Sequence, residues 1–379
     1  MGVMRLLFAI SVLLIHVGKL PITYTTFVGG VVPVQCFFMI SGFYMALILN
    51  ERYSNIKDFY FNRLLRIFPT YWLILLLTTL TAIVLGNQIF ITKILSTDWS
   101  WGSKLFMIFS NLFIFGSDIM MFFYPGADGM TFTKYYYRES VQFADWHVIS
   151  QAWSLPIELI FYALAPFIVK SKKKLVAIAI LSLLFRGITY HYTGDFEPWP
   201  NRFVPLEMFF FCTGALAYFI YKKIEHSESA AGWGLIVFTV MVIYITNWPR
   251  VQFIIPDTYL FIGQWMQFYI CFFFALPFIF QATKNNRADR WIGELSYPVY
   301  LIHYLINHNI DILPAFFETK LYNVILYCIL FSAIINHFFH DALERKFKKK
   351  DLPNSRPEMT EKKENRTQKS IGRAKEVST

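Results

Sequence analysis

Charge is scarce in this sequence. Only 16% of the 379 residues are Asp, Glu, Lys or Arg, while 56% are hydrophobic. Such a chain is too apolar for a disordered protein, and it leaves too little polar surface for an ordinary soluble domain. Cysteine is equally sparse. Cys36, Cys212, Cys271 and Cys328 all lie in apolar segments without metal-like spacing, which predicts core fillers and no zinc site. No basic prelude with a small-residue cleavage site precedes the first apolar run, so that run is expected to be an anchor rather than a removed leader. No internal repeat stands out, which weighs against an inverted-repeat transporter. The net charge of +10 does not signal nucleic acid, because the basic residues sit at segment ends and in the C-terminal tail.

What the chain has in quantity is long apolar runs. Ten segments are long enough to span a bilayer: 3–20, 31–49, 69–86, 153–169, 174–191, 203–221, 232–247, 259–281, 296–312 and 321–340. The fold class expected is all-α, a polytopic helical membrane protein. A further apolar run, 104–124, is broken by Ser110, Asn111, Gly116 and Asp118. The basic clusters decide its status: Arg52/Lys57/Arg63/Arg66, Lys170/Lys172–Lys174, Lys222/Lys223, Lys284/Arg287/Arg290 and Lys346/Lys348–Lys350. With ten spans all of these fall on the cytoplasmic side, as do both termini. Counting 104–124 as an eleventh would break that agreement, so it is expected to be re-entrant or interfacial. Segment 117–150 is then outside. It mixes Tyr124, Tyr135, Tyr136, Tyr137, Trp146 and His147 with Asp128, Arg138, Glu139 and Asp145. That composition suits either sugar stacking or an aromatic belt at the interface. The domain reading is a membrane domain over 1–345 and a basic, disordered cytoplasmic tail over 346–379.

Ionisable residues inside such spans are costly, and each is a candidate for function. Arg5 and His16 are eleven residues apart, close to three helical turns, so they share a face about 16 Å apart along the axis. His16 titrates near neutrality and suits a general base or an acyl acceptor; helix packing is the alternative. Arg63 and Arg66 are spaced to share a face just before Pro69 and suit phosphate binding at the cytoplasmic rim, although topology anchoring would also account for them. Glu158, in WSLPIE after Trp153 and Ser154, is expected near the outer boundary, where it could orient His16 or bind an acceptor hydroxyl. Ser296, Tyr300 and His303 recur at helical spacing, with His303 the candidate site residue among them. His337, His340, Asp341 and Glu344 share a helical face, which reads as a helix-terminal polar cluster more readily than as a metal site. A secondary transporter or flippase of a polysaccharide precursor is the rival class, since ten spans with midplane charges would serve it too.

In chain order these motifs resemble the membrane acyltransferase-3 family: Arg5 with His16, FFMISG at 37–42, RLLR at 63–66 before Pro69, WSLPIELIFY at 153–162, LSYPVYLIH at 295–303, and Glu344 after the last span. The resemblance covers about residues 1–345. It implies an integral membrane O-acyltransferase that moves an acyl group, usually acetyl, from cytoplasmic acyl-coenzyme A to a hydroxyl of a surface carbohydrate. The acceptor would be O-antigen, exopolysaccharide or a lipid-linked oligosaccharide. No permanently bound cofactor or metal is implied, acetyl-coenzyme A being the donor substrate. The location implied is the bacterial cytoplasmic (inner) membrane. His16 matches the family's essential histidine and Arg5 its first-helix arginine. Arg63 and Arg66 match its paired arginines, Ser41 and Gly42 its Ser-Gly turn, and Glu158 its first acid. After Glu158, Leu159 and Ile160 replace the usual acid and glutamine. The expected site is therefore His16 and Glu158 for catalysis, Arg5, Arg63 and Arg66 for the donor, and Ser41, Gly42, Trp153, Ser154 and His303 for the acceptor. The hydrolase domain that follows in some members is not expected beyond residue 345.

Overall fold

The computed structural model describes residues 1–17, 27–53, 55–194, 197–248 and 265–340. It divides into a unit over Met1–Asn336 and a second over His337–Thr379, of which only a π-helical turn at 337–340 is described.

Ten helices answer to the ten predicted spans. They are α1 (Gly2–His16), α2 (Val31–Glu51), α3 (Ile56–Val84), α6 (Ser154–Ile168), α7 (Lys172–Thr193), α9 (Val204–Ile224), α10 (Glu228–Thr246), α11 (Met266–Thr283), α12 (Arg287–His308) and α13 (Lys320–Ile335). Between them lie the shorter α4 (Phe90–Leu95), α5 (Trp101–Phe113) and α8 (Trp199–Arg202). Eight helices among the described residues are long and apolar enough to cross a membrane. The two predicted spans outside that set are α1, which has 15 residues, and α12, whose first two turns carry Arg287, Asp289, Arg290 and Glu294. The chain is a multi-pass membrane protein. Its only described strands form an antiparallel hairpin, β1 (Phe123–Gly126) and β2 (Gly129–Phe132), with Phe123 opposite Phe132.

The third span starts earlier than expected. Rather than opening at Pro69, α3 runs unbroken from Ile56, capped by the Asn55 side chain accepting from the Lys57 amide, with Pro69 inside it. Arg63 and Arg66 thus belong to the same rigid rod as the span. The 104–124 run is not a span. α5 has 13 residues, about 20 Å of helix against a hydrocarbon core of about 30 Å. The polar breaks in this run hold its surroundings together. Buried Asn111 donates to the Met107 and Trp146 carbonyls and accepts from the Val148 amide, while Tyr71 of α3 donates to its carbonyl. Around it a small separate core gathers Ile94, Met107, Met120, Met121 and Phe143.

α2 is the central rod, with 83% of its span buried, against 28% for α3 and 22% for both α7 and α10, whose apolar faces are left for lipid. It packs along α9, and α1 packs along α12. Glycines permit both approaches. A Cβ on Gly42 would lie 1.9 Å from the Phe211 carbonyl oxygen, and one on Gly214 would lie 1.8 Å from that of Met39. Gly2 and Gly293 meet in the same way across α1 and α12. The expected Ser-Gly turn at 41–42 is therefore not a turn. Both residues lie inside α2, where Gly42 lets two backbones touch. The neighbour is backbone and cannot yield cheaply, so Gly42→Ala is expected to cost about 1–3 kcal/mol. A lowered midpoint in detergent thermal melts, with Gly232→Ala unchanged because nothing lies near that position, is the outcome to look for.

Candidate functional site

α1 and α12 run in the same direction, side by side. Their contacts climb in register from Arg5 with Glu294 to His16 with His303. That register builds a site with two ends.

At one end His16 closes α1. Its Nδ1 lies 3.1 Å from Nε2 of His303, a residue with no exposed surface, and His303 Nδ1 lies 2.8 Å from the Tyr300 carbonyl. A carbonyl oxygen only accepts, so His303 Nδ1 carries a proton and donates it. The neutral ring then offers a lone pair at Nε2, which accepts from Nδ1–H of His16. The chain of donors leaves the lone pair of His16 on Nε2, the atom a general base needs. The orientation is held mechanically as well. The His303 ring stacks on His16 at 5.1 Å, Tyr304 lies at 4.8 Å, and Asn307 donates to the His16 carbonyl at 2.8 Å. One turn back along α12, Tyr300 donates to the Gln151 carbonyl and accepts from Ser154 at 2.9 Å, which ties in the start of α6. Trp153 is covered by the Arg202 guanidinium, 4.1 Å from the ring centroid.

At the other end, Glu294 of α12 takes two arginines on one oxygen, Arg5 of α1 at 3.8 Å and Arg66 of α3 at 3.5 Å. Arg63 lies one turn before Arg66, 5.9 Å from the Tyr162 ring centroid, and its buried Nε has no hydrogen-bond partner among the described residues. Glu158 belongs with this group. Its Oε1 accepts from Ser41 of α2 at 2.8 Å and from Tyr162, and its charge acts on Arg66. Expected beside His16, it has no described contact there. Ser154 already marks the level of Tyr300, and four further residues carry Glu158 about 6 Å along the α6 axis toward the arginines.

The two ends are joined by a stripe on α12 that sequence reading only half found. Glu294, Tyr297, Tyr300 and His303 recur every third residue, with Tyr297 donating to the Ile67 carbonyl of α3 at 2.9 Å. Ser296 is not part of it, since it donates to the Gly293 carbonyl of its own helix. Glu294 and Arg202 are the notable omissions. Glu294 looked like one more charge at a helix start, and Arg202 sits in a proline-rich connection where no periodicity marks it. The metal alternative gains no geometry: among the described residues no group of three or more His, Cys, Asp or Glu converges, and Asp341 and Glu344 lie outside them.

The segment 117–150 spends most of its predicted sugar-stacking residues on structure. Trp146 packs on Trp99 at 4.8 Å, and Tyr135 donates to the Thr193 carbonyl at 2.8 Å. His147 is buried, with Nδ1 donating to the Ile149 carbonyl, and burial pulls its pKa down from the ordinary 6.5 to about 4. The unfolded chain therefore binds a proton between those values that the fold excludes, so stability contributed here falls as pH drops from 6.5 towards 4. The shift corresponds to about 3 kcal/mol. Melting midpoints of wild type should fall over this interval more steeply than those of His147→Gln, which has no proton to gain.

The chain matches a family model described as an acyltransferase domain over residues 1–342. It is 24% identical over 350 aligned residues to a Bacillus subtilis (strain 168) protein named "Putative peptidoglycan O-acetyltransferase YrhL", an alignment covering 83% of this chain and 50% of that protein. The chain thus spans about half the length of that curated relative. No solved structure matches. With the family model running from the first residue through the His16, Arg66 and His303 helices, the chain belongs to the acyltransferase-3 family.

Proposed function

We propose that this protein takes an acetyl group from acetyl-coenzyme A at the cytoplasmic face of a bacterial inner membrane and transfers it to a hydroxyl of an envelope carbohydrate on the far side. Peptidoglycan, the polymer in the relative's name, is the first acceptor to consider, ahead of O-antigen, exopolysaccharide or a lipid-linked oligosaccharide. The observation that carries the reading is the hydrogen-bond chain from the Tyr300 carbonyl through His303 to His16, which presents Nε2 of His16 as a base.

The arginine end receives the donor. Arg5, Arg63 and Arg66 hold its phosphates, competing with the Glu294 carboxylate that now occupies two of them. Positive-inside logic puts this end in the cytoplasm. The extended pantetheine arm then runs along the Tyr297–Tyr300 stripe and delivers the thioester towards His16. There Nε2 takes the proton of the acceptor hydroxyl, the oxygen bonds to the acyl carbon, and the carbon–sulfur bond breaks. The departing thiolate is protonated by the imidazolium, which restores the base. Glu158, held by Ser41 and Tyr162, acts on the donor side by fixing the position of the arginines rather than by tuning the histidine. Trp153 and Ser154 stand at the acceptor side through Tyr300 and Arg202. The basic tail over 346–379, expected from the sequence to be disordered and cytoplasmic, lies outside the described residues.

The test uses membranes containing the protein, radiolabelled acetyl-coenzyme A, and peptidoglycan or host polysaccharide. Label in base-labile sugar esters, dependent on the protein, supports the proposal. No transfer from acetyl, succinyl or longer acyl donors to any of these acceptors rules it out.

A further inference from the structure

The arginine end holds its ions differently from the rest of the fold. Arg186 and Glu207 meet at 3.2 Å, and Arg202 and Glu197 at 2.6 Å. Glu294 instead offers one oxygen to two guanidiniums, 3.8 Å from Arg5 and 3.5 Å from Arg66. A fully bonded arginine and carboxylate lie about 2.7–2.9 Å apart, so both of these contacts are held more by charge than by hydrogen bonding. The group is also open. Arg66 and Glu294 keep 37% and 32% of their side-chain surface, where Arg186 keeps 3% and Glu207 none. Beside it Arg63 lies against Tyr162 with its buried Nε unpartnered among the described residues, and the charge of Glu158 reaches Arg66. Three arginines thus face two carboxylates, and only one of the carboxylates touches the arginines. Its backbone cannot retreat. Gly293, the preceding residue, is pressed on Gly2 and on Arg5 Nη1, and Tyr297 is tied to the Ile67 carbonyl at 2.9 Å. What can move is the Glu294 side chain.

A diphosphate carries more charge and more acceptor oxygens than one carboxylate, so it displaces a long-range pair of this kind. The arginines grip acylated and spent coenzyme alike, because both carry the same phosphates. Such uniform binding does nothing for the chemical step and retains the product. A carboxylate that returns to the arginines offsets that retention. Resting on the acyl-coenzyme A reading of this end, we infer that Glu294 is an internal anion that competes with the coenzyme's phosphates for Arg5 and Arg66, and so sets the exchange of spent coenzyme for fresh donor. With donor bound, the Glu294 side chain swings away from the guanidiniums; as the coenzyme leaves, it swings back. A carboxylate that merely positioned the arginines would act with the opposite sign, since its removal would loosen them and weaken phosphate binding.

The full-length protein in detergent is titrated by calorimetry with coenzyme A and with inorganic pyrophosphate. Glu294→Gln should bind both about threefold to tenfold more tightly than wild type, the weight of two partly exposed charge pairs released. In transfer assays the same variant should lower KM for acetyl-coenzyme A, lower kcat because product leaves more slowly, and be inhibited more strongly by free coenzyme A. In an Arg66→Ala background the gain should shrink, one of the two released cations being absent. Glu294→Asp keeps the charge but withdraws it by one methylene, and should fall between wild type and Glu294→Gln. Unchanged or weaker binding of both probes by Glu294→Gln, with its melting curve preserved, overturns the inference, as does binding of neither probe by any of these proteins. If Glu294→Gln does not fold, Glu294→Asp decides, and affinity no higher than that of wild type overturns it. Failure of the parent reading looks different: tighter binding in Glu294→Gln with no label transferred by wild type keeps the competing carboxylate and removes the acyl transfer, whereas label transfer with unaltered affinity does the reverse.

Discussion

His16→Ala is expected to lower acyl transfer by about a hundredfold to ten-thousandfold, the range spanned by removal of a positioned general base, while leaving the protein folded. The variant alone would not separate a base from a packing residue. The neighbouring histidine provides that separation. In the fold, His303 donates from Nδ1 to the Tyr300 carbonyl and so must accept at Nε2, which forces the proton of His16 onto Nδ1. His303→Leu removes the acceptor and frees His16 to turn or to change tautomer. Transfer should fall by about tenfold to a hundredfold, as when an orienting hydrogen bond is lost. His303→Gln retains an amide oxygen near the same place and should recover part of that loss. A mere core role would follow volume and polarity instead, with Gln the worse replacement in a fully buried site. The pH profile adds an independent check. Transfer by wild type should fall as pH is lowered and His16 takes up the proton that occupies its lone pair, whereas the residual rate of His16→Ala should lack that limb. Equal rates in wild type and His16→Ala would remove the base assignment altogether.

Much of this arrangement was legible in the sequence, for identifiable reasons. Apolar run length located all ten helices because the bilayer imposes a minimum length on anything that crosses it. His16, Arg5, Arg63 and Arg66 stood out because titratable side chains in apolar runs are conspicuous. What could not be read was contact between helices distant in the chain. Glu158 was expected beside His16, and its partners are Ser41 and Tyr162. The error is one of depth, since hydropathy fixes a span to within about a turn and the two ends of the site differ by only about three. Glu294 was missed because its meaning depends on the register of α12 against α1 and α3, and Arg287, Asp289 and Arg290 just before it made it resemble ordinary helix-start charge. Gly42 was assigned to a turn, since a glycine in a helix is visible as a tight approach only when the partner backbone is in view.

The most deeply buried ions in the described fold lie outside the two-ended site, and they set the largest stability effect. Glu207 of α9 has no exposed surface. It pairs with Arg186 of α7 at 3.2 Å and accepts from Gln35 of α2 at 3.1 Å. Arg186 also donates to the Pro200 carbonyl at 2.6 Å and to Asn201 at 2.9 Å, while Tyr269 of α11 donates to Gln35. Four helices and the connection carrying Arg202 are therefore held through a single ion pair. Glu207→Ala would strand a guanidinium where only 2% of Arg186 is exposed, and the expected cost is about 3–5 kcal/mol. Replacing both partners, Arg186→Met with Glu207→Leu, removes the stranded charge together with the cost of desolvating it. The double variant should then be more stable than either single one, a large favourable coupling in a double-mutant cycle read from detergent melts or chemical unfolding. Its acyl transfer supplies the functional half of the argument. The pair positions Asn201, and Arg202 follows directly in the chain, so a double variant that folds but leaves this connection loose should bind acceptor less tightly while retaining the donor affinity set at the arginine end. If instead the two single losses simply add, the ion pair is not what ties these helices together.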